Sequence, residues 1–175
     1  MENALPLKVL LVAEGSGGHL IPALEVANAL AKAGARTQLW YAQRAQTAPL
    51  ASALALASGQ PSVDVSPIPI ERARSLLDRL RHCTQLWSKS QRCFDTFAPD
   101  VVVGFGGWVC APVVLAAKRR GILCVLHEQN VMMGRTNRWL ARWVDRVTVS
   151  FRETQQALRP TPSVVTGMPV REAIG

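Results

Sequence analysis

Short runs of apolar residues, many of them β-branched, alternate along the chain with stretches in which apolar residues recur at helical spacing. An apolar run with no polar side indicates a strand buried on both faces, as in a parallel sheet covered by helices. The predicted strands are Lys8–Ala13, Thr37–Ala42, Val63–Ser66, Asp100–Phe105, Leu123–His127, Arg146–Ser150 and Val164–Thr166. This alternation predicts the α/β class, as a Rossmann-like parallel sheet of about seven strands with helices on both faces.

The same pattern predicts three helices. The first is expected to begin near Pro22, a residue suited to a first helical turn, and to stop at Gly34. The second is expected from Glu71 to Phe97, and the third from Pro112 to Arg120, with Gly121 as its cap. In such a domain, ligands bind beyond the carboxyl ends of the strands.

Composition indicates one domain over residues 1–175, because 49% hydrophobic content at this length supplies one real core. The formal charge of +8 predicts attraction to anions, whether phosphorylated substrates, an acidic membrane or nucleic acid. The four cysteines are scattered without a C-x-x-C pair, so neither a zinc site nor a redox motif is indicated. Glu2 and a short apolar run at the N-terminus are unlike a signal peptide, so we expect a cytoplasmic protein.

The first predicted strand leads into Glu14-Gly15-Ser16-Gly17-Gly18-His19. Glycines allow backbone N–H groups to approach a phosphate, and a following helix adds positive partial charge, so this loop is a candidate anion site. The alternative is a tight strand-to-helix turn with no ligand. Two known phosphate-binding motifs do not fit this loop. A dinucleotide fingerprint requires Gly in place of Leu20, and a Walker A loop requires Lys and a hydroxyl in place of Ile21 and Pro22. His19 is a candidate base for a hydroxyl beside a bound phosphate, or else a helix-cap residue.

Two further loops fall at the same predicted sheet edge. Strand four ends in Gly104-Phe105-Gly106-Gly107-Trp108-Val109-Cys110, a second glycine-rich turn that could hold the other side of a diphosphate, or could serve only helix packing. Strand five ends in His127-Glu128-Gln129-Asn130, a density of donors and acceptors suited to a sugar cleft or to a loop tether. His127 is expected to point into the sheet, which leaves Glu128 and Asn130 for the cleft.

Four motifs in order carry a family resemblance over nearly the whole chain. They are Gly15-Ser16-Gly17-Gly18-His19 with Pro22-Ala23, Gly106-Gly107-Trp108-Val109-Cys110 with Pro112, His127-Glu128-Gln129-Asn130 with Gly134 and Thr136-Asn137, and Gly167-Met168-Pro169-Val170-Arg171. In these motifs the chain resembles the N-terminal domain of the MurG-like lipid I N-acetylglucosaminyltransferases, which belong to glycosyltransferase family 28.

The resemblance implies one half of a GT-B fold and an inverting transfer in peptidoglycan synthesis. N-acetylglucosamine would pass from UDP-N-acetylglucosamine to the C4 hydroxyl of the muramoyl sugar of lipid I, with no metal and no cofactor. The resemblance assigns His19 and Glu128 as catalytic residues, His19 being the base. It assigns acceptor or substrate binding to Ser16, Gly17, Gly18, Gly106, Gly107, Trp108, Asn130, Asn137 and Arg171.

Several positions depart from the family pattern. Glu14 and Met168 replace the usual Gly and Asn, and Trp108 and Cys110 replace the usual Tyr and Ser. A carboxylate at Glu14 would repel a diphosphate if it points inward. The chain stops at Gly175, about where the first domain of the family ends, so the donor-binding domain is expected to be absent and the chain alone inactive.

The alternatives remain open at this point. The chain is expected to be an excerpt, a decayed paralogue, or the non-catalytic binding or recruiting subunit of a split two-chain polyprenol-linked glycosyltransferase. UDP-N-acetylglucosamine would then be met through a missing or separate C-terminal domain. A weaker hypothesis is an oxidoreductase that binds NADP through Arg44. No motif for nucleic acid accompanies the positive charge.

A membrane surface is the last expected partner. Residues 71–92 hold six basic and two acidic residues, interleaved with Leu76, Leu77, Leu80 and Trp87. A basic helix with an apolar face suits an anionic bilayer, although the same leucines would also suit a core. A second basic and aromatic cluster comprises Arg135, Arg138, Trp139, Arg142 and Trp143. We therefore expect a peripheral protein on the inner face of the cell membrane.

Overall fold

A single seven-stranded sheet, with all neighbouring strands parallel, organises the structure, a computed structural model that describes residues 5–43, 63–69, 75–158 and 160–169. The strands are β1 Lys8–Ala13, β2 Arg36–Gln43, β3 Val63–Pro69, β4 Val101–Gly104, β5 Leu123–Glu128, β6 Arg146–Val149 and β7 Ser163–Val165. The helices of the described residues are α1 Gly17–Lys32, α2 Leu76–Thr96, α3 Cys110–Arg119, α4 Arg135–Leu140 and α5 Arg152–Ala157.

The strand order is β3-β2-β1-β4-β5-β6-β7. The chain moves outward from β1 to β3, returns to place β4 on the other side of β1, and then moves outward again. The order therefore reverses between β1 and β4, and such a switch point leaves a crevice beyond the carboxyl ends of the two strands. The glycine-rich loops predicted as anion sites follow these same two strands.

Two apolar layers cover the central strand β1, whose residues are almost entirely buried. Val9, Leu11 and Ala13 face a core completed by α1, whereas Leu10 and Val12 face the core that contains residues of α2 and α3. Successive side chains of a strand point to opposite faces, so a strand covered on both sides must be apolar throughout. Helices on both faces, as predicted, result from this requirement.

The first helix begins five residues before the predicted start. Ser16 has extended backbone, and the carbonyl of Ser16 accepts from the N–H of Leu20 at 2.9 Å, which closes the first turn. Pro22 therefore lies inside α1 rather than at its first position, and it lacks the N–H that would bond to the carbonyl of Gly18. As a consequence, Gly17 and Gly18 belong to the helix and place its N-terminus directly at the switch point.

Other boundaries also differ from the predicted ones. Strand β3 continues to Pro69 rather than Ser66, because it is an edge strand and an edge tolerates proline. Helix α2 begins after Ser75, whose hydroxyl accepts from the N–H of Asp78 while the Asp78 carboxylate accepts from the N–H of Ser75. The predicted helical residues 71–74 lie outside the described residues. Helices α4 and α5, six residues each, were not predicted. Within the described ranges, no helix has both the length and the apolarity needed to cross a bilayer.

Candidate functional site

The two glycine-rich loops lie against each other at the switch point. They are the first loop, Glu14–His19, and the second loop, Phe105–Val109. The N–H of Glu14 donates to the carbonyl of Gly106 at 3.2 Å, which joins the start of one loop to the middle of the other. Each loop leads into a helix, α1 or α3, so two positively polarised helix N-termini face the same crevice.

The first loop fixes the orientation of the His19 ring. The Oγ atom of Ser16 lies 2.7 Å from Nδ1 of His19, and the Ser16 side chain makes no capping bond to the helix backbone. A serine at this position usually accepts a bond from the amides of the first turn. Here the hydroxyl bonds the imidazole instead, and the first-turn amides at Gly17 and Gly18, which have no acceptor within the helix, remain for a ligand.

The second loop requires glycine at two positions. Gly106 and Gly107 have φ of +100° and +83°, a region that other residues adopt only at a cost. A Cβ at Gly106 would lie 2.8 Å from Cδ2 and 2.9 Å from Nε2 of His19. A Cβ at Gly107 would collide with the side chain of Glu14. The backbone of the second loop is therefore in direct contact with the imidazole and with a carboxylate of the first.

The electrostatic environment of His19 combines burial with two carboxylates. Burial lowers the pKa of His19 below its ordinary 6.5, while Glu14 and, less strongly, Glu128 act in the opposite direction. The ring is therefore neutral near pH 7, the protonation state that a general base requires. The same two carboxylates would stabilise the imidazolium that proton transfer creates.

The carboxylate of Glu128 anchors the loop that follows β5. Only 1% of Glu128 is exposed. Its Oε1 accepts from the backbone N–H of Asn130 at 3.1 Å and from Asn130 Nδ2 at 3.0 Å. Its Oε2 accepts from the N–H of Gly134 and from Nδ2 of Asn137, both at 3.0 Å. Four such bonds hold the loop and the start of α4 to the end of β5.

Asn137 connects this anchor to the two glycine loops. Its side chain is 2% exposed, and its Nδ2 donates both to Glu128 and to the carbonyl of His127, the latter at 3.3 Å. The same nitrogen would lie 3.2 Å from a Cβ at Gly106. Asn137 Oδ1 is buried and finds no hydrogen-bond partner among the described residues, an arrangement that costs about 1–3 kcal/mol. The predicted residues His19, Gly106, Glu128 and Asn137 therefore form one connected cluster.

His127 points into the sheet, as expected from the sequence. Its Nδ1 lies 2.9 Å from Oγ1 of Thr148, and its ring packs against Phe105 with centroids 5.5 Å apart. Burial lowers the pKa of His127 to about 4, although Glu128 opposes the shift. His127 is thus a neutral packing residue at neutral pH.

Asn130 joins this cluster through its two bonds to Glu128, whereas the Trp108 side chain lies apart from it and Arg171 is outside the described ranges. Asn130 is exposed, and its carbonyl accepts from Thr154 at 3.0 Å. The Trp108 ring stacks on His82 of α2 at 6.0 Å, and it lines a separate cleft of about 200 Å³ between α2 and β3. Arg171 and Arg44 lie outside the described residues.

Two contributors to the site were not assigned by the sequence. Glu14 was noted only as a departure, yet it is largely buried and touches the second loop. The sequence already indicated a buried contact for Glu14, because a charged residue directly after a fully buried strand needs a partner. Gln129 is buried and donates to the carbonyl of Phe105 at 3.0 Å, which ties the third loop to the second. No local sequence pattern predicts a contact between residues this far apart along the chain.

Comparison with known proteins agrees with this geometry. Residues 9–149 match the glycosyltransferase family 28 N-terminal domain. The chain is 33% identical over 171 residues to the UDP-N-acetylglucosamine--N-acetylmuramyl-(pentapeptide) pyrophosphoryl-undecaprenol N-acetylglucosamine transferase of Desulforamulus reducens, covering 96% of this chain and 45% of that protein. It is 32% identical over 173 residues to the transferase of the same name from Listeria monocytogenes, covering 97% and 47%. The chain thus spans less than half the length of these curated relatives.

Solved structures show the same fold. The crystal structure of Acinetobacter baumannii MurG matches with a TM-score of 0.74 at 28% identity, over 95% of this chain and 47% of that one. A UDP-N-acetylglucosamine 2-epimerase from Rickettsia bellii has a TM-score of 0.70 at 16% identity, a likeness of fold alone. The predicted fold class and the resemblance to MurG-like N-terminal domains are confirmed. The chain belongs to glycosyltransferase family 28, and its residues 9–149 form the N-terminal domain of that family.

Proposed function

We propose that this chain is the acceptor-binding half of an inverting N-acetylglucosaminyltransferase that acts on lipid I. The observation that carries the proposal is the contact between the His19 ring and the backbone of Gly106, which brings a candidate base to two glycine-rich loops at once. The relatives' names describe an N-acetylmuramyl-(pentapeptide) pyrophosphoryl-undecaprenol acceptor and a UDP-N-acetylglucosamine donor.

The pyrophosphate of the acceptor would bind across the switch point. The N-termini of α1 and α3 contribute partial positive charge, and Gly17, Gly18 and Gly107 allow backbone N–H groups to approach phosphate oxygens closely. No metal is required for this mode of binding, because oriented amides supply the positive potential. The chain's net charge of +8 favours the approach of such an anion.

His19 would act as the general base. In the tautomer with its Nδ1–H donating to Ser16, the Nε2 atom carries a free lone pair on the side of the ring that faces Gly106. Nε2 takes the proton of the acceptor C4 hydroxyl as that oxygen attacks C1 of N-acetylglucosamine. The bond between C1 and the UDP oxygen breaks, its electron pair leaves with UDP, and the configuration at C1 inverts.

Glu14 has two opposing effects in this scheme. Its carboxylate contacts the second loop at Gly107 and would therefore lie near a pyrophosphate bound there, and like charges repel by about 1 kcal/mol at 4 Å even in water. It also stabilises the imidazolium of His19, as its effect on the pKa of that ring indicates. A carboxylate at this position therefore weakens binding of the acceptor and makes His19 a stronger base.

Glu128 would serve the reaction by positioning rather than by contact with substrate. Both carboxylate oxygens are occupied by protein donors, and the side chain is almost fully buried. Its bonds to Asn130 and Asn137 hold the third loop against the glycine loops. We assign direct contacts with the sugar to Asn130, whose exposed position leaves part of its side chain available.

The donor would be bound mainly by a second domain, on the same chain or on a partner. The relatives are more than twice as long as the matched region, and residues 9–149 match the N-terminal domain of the family. In the split form, this chain would recruit the donor-binding partner and present the acceptor to it.

Helix α2 would hold the protein at the membrane where a lipid-linked acceptor resides. Leu76, Leu77 and Leu80 at its N-terminal end are 72%, 66% and 54% exposed, and Arg79 and Arg81 lie among them. An exposed apolar surface edged with basic residues favours an anionic bilayer. The protein would thus be peripheral on the inner face of the cytoplasmic membrane.

A binding titration tests the proposal on the chain as it stands. Isothermal titration with N-acetylmuramyl-pentapeptide diphosphate, a soluble acceptor without the polyprenol, should give saturable binding that weakens as salt rises. In a nitrogen-15 NMR spectrum, the amides of Gly17, Gly18 and Gly107 should move with the ligand. Shifts confined to residues far from the two glycine loops would contradict the proposed site.

A further inference from the structure

The cleft between α2 and β3 is lined by apolar and cationic side chains that have no part in the proposed reaction. Trp108, Leu86 and Ile68 form an apolar lining, and Lys89 and Arg92 of α2 supply two cations. Its volume of about 200 Å³ is smaller than the roughly 300–1,000 Å³ of a complete small-molecule site, so it suits one portion of a larger ligand.

The cleft is continuous with the second loop. Trp108 directly follows Gly106 and Gly107, and consecutive Cα atoms are about 3.8 Å apart. One end of the loop therefore faces the switch point, and the other presents an indole to the cleft, where it stacks on His82. A ligand held at the glycines by its pyrophosphate would therefore lie beside the residue whose side chain lines the cleft.

The cations of the cleft are not neutralised by its own lining. Among the described residues that line it, none is acidic. Lys89 Nζ lies 4.6 Å from the centroid of the Trp40 ring, a contact that attracts the cation but leaves its charge in place. The carboxylate of Asp64 acts on Lys89, and it already accepts a bond from the Gln38 side chain at 3.1 Å.

Two further features favour an anionic occupant. Burial lowers the pKa of Lys89, and neighbouring Arg92 acts in the same direction, although Cys93 and Asp64 oppose the shift. A negative group in the cleft would relieve this cost of holding two cations together. Nδ1 of His82 is also buried without a hydrogen-bond partner among the described residues.

We propose that the cleft of Trp108, Lys89 and Arg92 receives a carboxylate of the peptide carried by the acceptor. This inference rests on the proposed function, since the relatives' acceptor is named as carrying a pentapeptide and a pyrophosphate. The pyrophosphate is assigned to the amides of the glycine loops, and the polyprenol carries no charge for the two cations to bind. A peptide has carboxylate for Lys89 and Arg92 and apolar groups for the indole of Trp108.

The experiment compares two soluble ligands on the full chain by isothermal titration. They are N-acetylmuramyl-pentapeptide diphosphate and N-acetylmuramyl diphosphate, which lacks the peptide. Replacing both cations, Lys89→Gln with Arg92→Gln, should weaken the peptide-bearing ligand by about tenfold, the loss of one or two charge-assisted bonds, and leave the peptide-free ligand unchanged. The conservative pair Lys89→Arg with Arg92→Lys should restore most of the affinity.

The matched control is Lys32→Gln with Arg36→Gln, which removes the same charge at the end of α1 and the start of β2, away from the carboxyl end of β3 that lines the cleft. It should alter neither titration by more than the small effect of net charge. If the double variant at the cleft unfolds, Arg92→Gln alone, at an exposed position, provides the comparison.

The outcomes separate the two proposals. Equal weakening of both ligands by the cleft variant would assign the cleft to phosphate and overturn the inference, as would no weakening of either. Failure of the unaltered chain to bind the peptide-free diphosphate would contradict the proposed function instead. In that case the free pentapeptide still tests the cleft, because it should shift the indole N–H of Trp108 in the unaltered chain and not in the double variant.

Discussion

The imidazole of His19 lies so close to Gly106 that one added methyl group would be 2.9 Å from its Nε2 atom. The two residues belong to different loops, and most of α1, the strands β2, β3 and β4, and helix α2 lie between them along the chain. Their contact results from the reversal of strand order between β1 and β4, which places the ends of these strands side by side.

Gly106→Ala should therefore disturb both the backbone and the imidazole. We expect a loss of about 1–3 kcal/mol in the free energy of unfolding from the left-handed φ, together with a marked loss of binding to acceptor diphosphate. The matched control is Gly121→Ala, where φ is +71° but no atom lies within 4 Å of the new Cβ. Denaturant unfolding and ligand titration of both variants measure the difference. Equal effects on ligand binding would show that contact with His19 is unimportant.

Glu14→Gln should lower the pKa of His19 further. Of the two nearby carboxylates, Glu14 has the larger opposing effect on the burial-driven shift, so its removal leaves burial less opposed. The titration of the His19 ring, followed by NMR, should move to lower pH. The same variant should bind acceptor diphosphate more tightly, because one negative charge has left the crevice. An unchanged or higher pKa would place Glu14 away from the ring.

Acid should destabilise the fold through His127. In the unfolded chain this ring gains a proton near pH 6.5, whereas in the fold it stays neutral down to about pH 4. The unfolded state thus binds more protons between these values, and stability falls as the pH falls through this window. From pH 7 to pH 5 the loss should be roughly 2 kcal/mol. Urea unfolding at both pH values should show a smaller loss in His127→Asn, and an equal loss would assign the effect to other groups.

The exposed leucines of α2 should control attachment to membranes. Replacing Leu76 and Leu80 by Ser should reduce co-sedimentation with vesicles containing anionic lipid, because buried apolar area contributes about 25 cal/mol per Å². Binding of the unaltered chain should weaken as salt rises. Leu123→Ser, at a leucine 56% exposed at the start of β5, provides the control and should bind normally. If the α2 changes leave vesicle binding unaffected, the exposed leucines of α2 do not attach the protein to membranes.

Much of the fold follows from local sequence. Apolar runs predicted the seven strands found among the described residues, and the pattern is clearest in β1, which is buried on both faces and has no polar side. The predicted start of α1 is too late because proline favours a first turn, whereas the Ser16 carbonyl accepts hydrogen bonds from the N–H groups of His19 and Leu20, which close a turn before Pro22. The short helices α4 and α5 were missed because six residues carry little periodic signal.

The sequence predicted which residues meet at the candidate site better than it predicted the role of each residue. Parallel strand ends share one edge, so the glycine loops and the polar end of β5 were expected together. The direction of each side chain was not available from local pattern. Glu128 turns inward to four donors, and Trp108 turns away to His82, because partners distant in sequence decide both.

The most direct test of the central claim is the effect of His19→Ala on transfer by this chain combined with a donor-binding domain. Transfer of N-acetylglucosamine from UDP-N-acetylglucosamine to a lipid I analogue should fall at least about a hundredfold in kcat, while the acceptor diphosphate still binds. Activity retained within a few fold would contradict the assignment of His19 as the base.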